Sequence, residues 1–184
     1  MKKVIIIHGF NATPNGGWRA WLMGELAALD VYACALPMPS PEAPSPDAWV
    51  EEIRRVVERE APGDVCLVGH SLGVPAILRY LERGAEAVAG AVLVSGPIEP
   101  IAVNHVIAPF LAEPFDFPKI RSRIGRVAVI HAHDDDRVPF SQGERLAREL
   151  GAELIAIPNG GHLNGKSGWT ELPQALEALK TMLD

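Results

Sequence analysis

Residues 65–76 constrain the fold of this chain more than any other stretch, and they read VCLVGHSLGVPA. The apolar first half predicts a strand, the Gly-X-Ser-X-Gly pattern predicts a sharp turn, and the remainder begins a helix. A serine in such a turn has a strained backbone, and Gly69 and Gly73 remove the clashes that larger side chains would cause there. Leu72 contributes a free backbone N–H at a helix N-terminus, where negative charge is stabilised. The stretch therefore predicts Ser71 as a nucleophile.

Strand and helix patterns alternate along the chain. Predicted strands cover 4–7, 31–36, the run that begins at 64, 88–95, 126–131 and 153–157, and predicted helices cover 18–29, 46–60, 72–82, 141–150 and 170–183. Ser45 is the predicted N-cap of the second helix, and Ser141 with Glu144 has capping-box spacing for the fourth. Apolar strands separated by helices predict a doubly wound parallel α/β sheet, with functional loops at the carboxyl ends of the strands.

The length of 184 residues predicts a single domain over 1–184, because a chain of this size buries enough surface to fold without disulfides or metals. The segment 96–118 is irregular and combines prolines with phenylalanines. It is predicted to form either a short lid or flap over the site or a packed connecting loop. Its length argues against a separate cap domain.

Three residue types that act together in catalysis follow predicted strands. Ser71 follows the third strand, three aspartates follow the fifth, and His162 follows the sixth. A serine hydroxyl needs a base to remove its proton as it attacks, and the base needs a carboxylate to orient it. The order serine, aspartate, histidine is that of α/β-hydrolases. The residues thus predict a triad of Ser71, His162 and one of Asp134, Asp135 and Asp136.

The loop after the first strand is predicted to supply a second backbone donor, which together with the Leu72 N–H would form an oxyanion hole. The Phe10 N–H is the first candidate for this donor, and the Asn11 N–H is the alternative. Loss of one such donor typically lowers the rate by about 100-fold to 1,000-fold. His8 and His70 stand beside these groups and are predicted to support the loops rather than to react.

Several motifs along the chain are shared with one known family. They are residues 8–14 (HGFNATP), 69–73 (GHSLG), 134–139 (DDDRVP), 161–164 (GHLN), the Leu36-Pro37 loop that leads into Trp49, and the tail Ser167-Gly168-Trp169. In these motifs the sequence resembles the compact α/β-hydrolase family related to retinoblastoma-binding protein nine. The resemblance extends over nearly the whole chain.

This resemblance implies a minimal α/β-hydrolase fold that lacks the first two strands and any large cap, with sheet order 2-1-3-4-5-6. It implies serine hydrolase activity on small carboxylic esters or related acyl substrates. The Asp-X-X-Val-Pro pattern of related hydrolases selects Asp135 as the acid of the triad. The three consecutive aspartates depart from that pattern and keep Asp134 and Asp136 open as alternatives. Without a large cap, the site is expected to be open, and Asn11, Trp18 and Trp169 are candidate pocket residues.

Composition narrows the classes of partner. The formal net charge is −6 and 48% of residues are hydrophobic, which argues against a nucleic-acid or anionic-membrane partner. The first apolar run, at 4–7, is too short for a signal peptide, no run is long enough to span a bilayer, and Cys34 and Cys66 fall inside predicted strands. These features favour a cytoplasmic protein with reduced cysteines. No cofactor is expected.

Two rival interpretations compete with a serine hydrolase. His131, His133 and Asp135 partly match the His-X-His-X-Asp spacing of metallohydrolases, with His105 or His162 needed to complete the ligand set. Alternatively, a hydrolase scaffold can act as a protein-binding module. In that case the phenylalanines of 96–118, together with Trp18, Trp21 and Trp169, would form an exposed patch.

Overall fold

A six-stranded parallel sheet forms the centre of the protein, as seen in a computed structural model that describes residues 2–84, 86–102 and 105–183. The strands are β1 (Lys3–Ile7), β2 (Tyr32–Ala35), β3 (Val65–His70), β4 (Val88–Val94), β5 (Ile124–Ala132) and β6 (Glu153–Ile157). Their order is β2-β1-β3-β4-β5-β6, and every neighbouring pair is parallel. The predicted α/β-hydrolase topology is confirmed.

The helices cover both faces of the sheet. They are α1 (Arg19–Ala28), α2 (Pro46–Val57), α3 (Gly73–Arg83), α4 (Phe117–Arg121), α5 (Phe140–Leu150) and α6 (Pro173–Leu183), with short 3-10 turns at Pro62–Asp64, His105–Phe110 and Gly165–Ser167. Helices α1 and α6 pack on one face, and α2 to α5 pack on the other. None of the described helices has both the length and the apolar character that crossing a bilayer requires.

Strand β1 illustrates why the strands read as continuous apolar runs. Ile5 and Ile7 face the core beneath α2 and α3, whereas Val4 and Ile6 face the core beneath α1 and α6. All four side chains are buried. Alternate residues of a strand point to opposite faces, so a sheet covered on both sides requires apolar residues at every position.

The start of α5 differs from the prediction. The helix begins at Phe140, with Pro139 in the N-cap position, and no side chain caps it. The Pro139 carbonyl accepts the Gln142 N–H at 2.9 Å, so the helix begins two residues earlier than the Ser141 capping box requires. Ser45 does occupy the N-cap position of α2, although its side chain makes no capping hydrogen bond.

The described part of segment 96–118 packs into the core. Six of its apolar side chains are buried: Ile98, Ile107, Phe110, Leu111, Phe115 and Phe117. The Arg79 guanidinium donates to the carbonyls of Phe110 and Glu113 and lies 3.9 Å from the centroid of the Phe115 ring. At the other end, the Gln142 side-chain oxygen accepts the N–H groups of Ile98 and Glu99 at 2.7 and 3.1 Å. The phenylalanines therefore form no exposed patch.

Candidate active site

Three loops at the carboxyl edge of the sheet bring the predicted residues together. Ser71 directly follows β3, Asp135 lies in the loop after β5, and His162 lies in the loop after β6. His162 Nε2 is 2.8 Å from Ser71 Oγ, and His162 Nδ1 is 3.0 Å from each Asp135 carboxylate oxygen. In neutral His162, Nδ1–H therefore donates to the carboxylate while Nε2 is free to accept the serine proton.

The backbone around Ser71 has the strain expected of this turn. Ser71 has a φ of 54°, a region that non-glycine residues seldom adopt. A Cβ atom on Gly73 would lie 2.2 Å from the Ile7 carbonyl oxygen, and a Cβ on Gly9 would lie 3.0 Å from Ser71 Cβ. The glycines thus allow α3 to pack against the end of β1 and allow the loop after β1 to approach the serine.

Two backbone donors beside Ser71 are free to bind an anion. The N–H groups of Phe10 and Leu72 have no acceptor within the described part of the chain. The Asn11 N–H, the alternative donor, already donates to the Pro41 carbonyl at 2.7 Å. The geometry therefore favours Phe10 over Asn11 as the partner of Leu72.

The Asp135 carboxylate is buried and held by several donors. Its Oδ1 accepts the N–H groups of Arg137 and Val138 at 2.9 and 3.0 Å, and its side chain has 0% exposure. Burial alone would raise the pKa of Asp135, but the hydrogen bond and charge of His162 and the two N–H donors outweigh burial, so the pKa lies below its ordinary value. Asp135 therefore stays ionised and faces His162.

The neighbouring aspartates have different surroundings. Asp134 Oδ1 accepts the N–H groups of Gly160 and Gly161 at 2.7 and 2.9 Å, and these bonds lower its pKa. Asp134 thus ties the loop after β5 to the loop that carries His162. Asp136 is exposed and lines the cleft described below. Among the three aspartates, only Asp135 has a described hydrogen bond to His162.

The loop that carries His162 is held from behind through its carbonyl groups. His70 Nε2–H donates to the His162 carbonyl at 3.0 Å, Trp18 Nε1–H donates to the Leu163 carbonyl at 2.8 Å, and Trp169 Nε1–H donates to the Gly160 carbonyl at 2.8 Å. The prediction of Trp18 and Trp169 as pocket residues is therefore corrected. Trp18 is fully buried and Trp169 packs on the same core, because their rings fill the space beneath this loop.

A cleft of about 820 Å³ opens in front of Ser71 and His162. Its lining comprises Gly9, Phe10, Asn11, Ala12, Thr13, Gly16, Gly17, Arg19, His70, Ser71, Ile101, Ile107, Asp136, Arg137, Val138, His162, Asn164, Gly165 and Lys166. The predicted pocket residue Asn11 is among them. Phe10, with its free N–H, and Ser71, with its hydroxyl, thus border the same space, which is called the active-site cleft below.

Both histidines predicted to support loops have such contacts. His8 Nδ1–H donates to the Gly9 carbonyl at 2.8 Å, and His8 Nε2 accepts the Met38 N–H at 3.3 Å. The His70 ring lies 5.2 Å from the His162 ring and crosses the Trp18 ring edge-on. Its Nδ1 is buried without a partner in the described part of the chain.

His70 makes stability depend on pH. Burial, with a smaller contribution from the charge of His162, lowers the pKa of His70 from 6.5 to about 3. Below about pH 6.5 His70 becomes protonated in the unfolded chain but stays neutral in the folded protein. The free energy of unfolding therefore falls with pH until the pH reaches about 3. At pH 4, His70 alone is expected to remove about 3 kcal/mol.

Chemical denaturation at pH 7.5 and pH 4 measures this effect. The variant His70→Gln keeps an amide donor for the His162 carbonyl but cannot titrate. Between pH 7.5 and pH 4, its free energy of unfolding is therefore expected to fall by about 3 kcal/mol less than that of the wild type. An equal fall in wild type and variant would contradict the prediction.

His131 and His133 have separate surroundings. His131 is buried, and its Nε2–H donates to the Val138 carbonyl at 2.9 Å and lies 3.5 Å from Asp135 Oδ2. His133 is exposed and stacks on Phe140, with ring centroids 3.9 Å apart. Within residues 2–84, 86–102 and 105–183, no group of three histidine, cysteine or acidic side chains has an arrangement suited to a metal ion.

Comparison with known proteins identifies the family. Residues 4–181 match the family model described as serine hydrolase. The chain belongs to the serine hydrolase family. It is 36% identical over 180 residues to the protein YdeN of Bacillus subtilis, with 97% of this chain and 94% of YdeN covered. The crystal structure of the ydeN gene product matches with a TM-score of 0.95 at 35% identity, covering 99% of this chain and 98% of that one.

One more distant relative of this serine hydrolase carries the same family name, and a further structure shares its fold. The serine hydrolase RBBP9 of Rattus norvegicus is 24% identical over 185 residues, with 98% of this chain and 95% of RBBP9 covered. Est1E from Butyrivibrio proteoclasticus shares the fold with a TM-score of 0.75 at 14% identity, covering 99% of this chain and 88% of that one. The family and fold predicted from the sequence are therefore confirmed, and the protein is a hydrolase.

Sequence reasoning missed several residues of the cleft, and Arg19 is the most unusual of them. It is the first residue of α1, and the buried residues of this helix are Arg19, Leu22 and Leu26. The spacing i, i+3, i+7 places all three on one helix face. An arginine within an apolar stripe was thus a readable signal of an unusual buried charge.

Proposed function

We propose that this serine hydrolase cleaves small carboxylic esters through an acyl-enzyme formed on Ser71. The observation that carries this proposal is the continuous hydrogen-bonded chain from Asp135 through His162 to Ser71 Oγ, with distances of 3.0 and 2.8 Å. A base oriented by a buried carboxylate and in contact with a hydroxyl is the arrangement that activates serine.

In the first half of the reaction, Ser71 Oγ attacks the ester carbonyl carbon while His162 Nε2 takes the hydroxyl proton. The carbonyl oxygen becomes an oxyanion, which the free N–H groups of Phe10 and Leu72 bind. Asp135 stabilises the positive charge that forms on His162. His162 then returns the proton to the departing alkoxide, so the alcohol leaves and the acyl group stays on Ser71.

In the second half, water takes the place of the alcohol. His162 removes a proton from the water, the resulting oxygen attacks the acyl carbon, and the oxyanion occupies the same two donors. Collapse of this intermediate returns the proton to Ser71 Oγ and releases the carboxylic acid. A cleft of about 820 Å³ suits substrates of small-molecule size.

Labelling with a fluorophosphonate probe tests the proposal. Intact mass spectrometry of the wild type is expected to show one adduct, and Ser71→Ala and His162→Ala are expected to show none. Hydrolysis of a short p-nitrophenyl ester should follow the same pattern and should be indifferent to a chelator. The variants Ser122→Ala and His133→Ala are matched controls, because both side chains are exposed and neither lines the cleft.

Two results would overturn this assignment. An adduct that persists in Ser71→Ala would place the nucleophile elsewhere. Hydrolysis that disappears with chelator would favour the metallohydrolase interpretation instead.

The alternative role as a protein-binding module has less support. The aromatic residues proposed for its docking patch, including Phe110 and Trp18, have their side chains in the core. A cytoplasmic location and the lack of nucleic-acid or membrane partners remain predictions from composition.

A further inference from the structure

Arg19 is a buried cation at the active-site cleft that has no acidic partner within residues 2–84, 86–102 and 105–183. Its exposure is 4%, and it lines the cleft together with Ser71 and His162. Nε–H donates to the Pro14 carbonyl at 3.2 Å, and Nη2–H donates to the Thr13 carbonyl at 2.9 Å. Nη1 has no partner among the residues that the structure describes. Of the five N–H groups of a guanidinium, most are thus left for something in the cleft.

The other buried arginine among the described residues, Arg79, has an acidic partner. Arg79 has 5% exposure and forms an ion pair with Glu82 at 2.7 Å, besides its bonds to two carbonyls. Buried charges in proteins are normally paired in this way. Burial lowers the pKa of Arg19 to about 10, so its guanidinium still carries its charge at neutral pH. Arg19 is therefore an exception to this rule, and an anionic ligand in the cleft would supply the missing partner for its charge.

The charges around the cleft favour the same kind of ligand. Arg137 and Lys166 are exposed at its rim, and Asp136 is the one acidic residue among the described residues of the lining. His70, which also lines the cleft, is neutral because burial lowers its pKa. Three cationic residues and one carboxylate thus line the cleft of a chain whose formal net charge is −6. Such a local excess attracts anionic substrates.

We propose that Arg19 is a specificity-determining residue that binds a carboxylate of the substrate, so that the preferred substrates are esters carrying a free carboxylate. A guanidinium with free donors matches a planar carboxylate through two parallel hydrogen bonds. The proposal rests on the proposed function of Ser71 and adds the chemical class of its substrate. Monoesters of short dicarboxylic acids carry the carboxylate in the acyl part, and acyl esters of hydroxy acids carry it in the alcohol part.

Kinetics with matched esters test this class. Monoethyl glutarate and monoethyl adipate are compared with ethyl butanoate and ethyl pentanoate, and acetoxyacetate is compared with ethyl acetate, by titration of the released acid. We expect the wild type to have a kcat/KM at least 10-fold higher for the charged member in one of these two arms, which also identifies the part that Arg19 binds. Equal values for charged and neutral esters in both arms would overturn the proposal.

Two substitutions separate recognition from folding. Arg19→Gln removes the charge and is expected to lower kcat/KM for the charged ester by about 100-fold more than kcat/KM for the neutral ester, the difference typical of an unpaired charged hydrogen bond. Arg19→Lys keeps the charge and is expected to recover part of the loss. Equal losses on charged and neutral esters in both variants would show a structural role and overturn the proposal.

A binding measurement distinguishes this proposal from the proposed function. Titration calorimetry of glutarate and of monoethyl glutarate into Ser71→Ala requires no hydrolysis. Binding that weakens at least 10-fold in Ser71→Ala/Arg19→Gln supports the carboxylate site even if no ester is cleaved. The absence of any binding to Ser71→Ala, in a protein that hydrolyses neutral esters, would overturn the carboxylate site and leave the proposed hydrolase function intact.

Discussion

Replacing Asp135 with asparagine is expected to lower kcat for ester hydrolysis by about 10⁴-fold. The buried carboxylate accepts Nδ1–H of His162 through both of its oxygens, each at 3.0 Å. An asparagine can turn its NH₂ group toward Nδ1, which favours the His162 tautomer that carries its proton on Nε2. That tautomer cannot accept the proton of Ser71. Steady-state kinetics and the rate of fluorophosphonate labelling both measure the loss.

The neighbouring aspartates provide the comparison for this prediction. Asp136→Asn is expected to change kcat by less than about 10-fold, because the Asp136 side chain is exposed and has no described contact with His162. Asp134→Asn keeps an oxygen acceptor for the N–H groups of Gly160 and Gly161 but loses the charge that strengthens both bonds, so it is expected to lower thermal stability and to have an intermediate effect on kcat. A loss of about 10⁴-fold in either of these variants, with Asp135→Asn active, would assign the acid differently.

The sequence was sufficient for the sheet and for the residues at its carboxyl edge. The strands are continuous apolar runs, and the covalent order of strands and helices leaves few ways to build a parallel sheet. Ser71 directly follows β3, and His162 lies in the short loop after β6, so local sequence patterns were enough to predict both positions. The choice among the three aspartates came from the resemblance to related hydrolases, because adjacent residues share one loop and only their side-chain directions differ.

The roles of the supporting side chains depend on contacts between distant parts of the chain. Trp18 meets the Leu163 carbonyl 145 positions away, and His70 meets the His162 carbonyl 92 positions away. No local spacing encodes such pairs, and an aromatic residue near a functional loop can lie either in the pocket or beneath the loop. The contact of the Gly160 and Gly161 N–H groups with Asp134 likewise joins two separate loops.

These contacts have a common consequence for catalysis. The carbonyls of Gly160, His162 and Leu163 each accept a side-chain N–H, from Trp169, His70 and Trp18 respectively. The loop is thereby fixed on the side away from the cleft, while His162 is fixed on the other side by Asp135. A base held in this way needs little reorganisation when it receives the Ser71 proton.

Replacing Gly73 with alanine is expected to abolish the native fold or to lower the free energy of unfolding by at least about 4 kcal/mol. The added Cβ would lie 2.2 Å from the Ile7 carbonyl oxygen, 2.9 Å from the Ile7 carbonyl carbon and 3.0 Å from the His8 carbonyl oxygen. All three are backbone atoms at the end of β1, so no side chain can rotate away. Relief of the clash requires α3 to move away from the sheet, which also displaces Leu72 and the turn that holds Ser71. Chemical denaturation and fluorophosphonate labelling measure the two losses.

Gly24→Ala is the matched control for this substitution. Gly24 lies within α1 and is exposed, and, apart from its own helix backbone, no described part of the chain lies within 4 Å of the position that a Cβ would occupy. Alanine favours a helix interior over glycine by about 1 kcal/mol, so this variant is expected to be slightly more stable than the wild type and fully labelled. The same methyl group is thus expected to stabilise one helix and to disrupt the other, because only Gly73 packs against a strand backbone. A folded, labelled Gly73→Ala protein would contradict the close packing of α3 on β1.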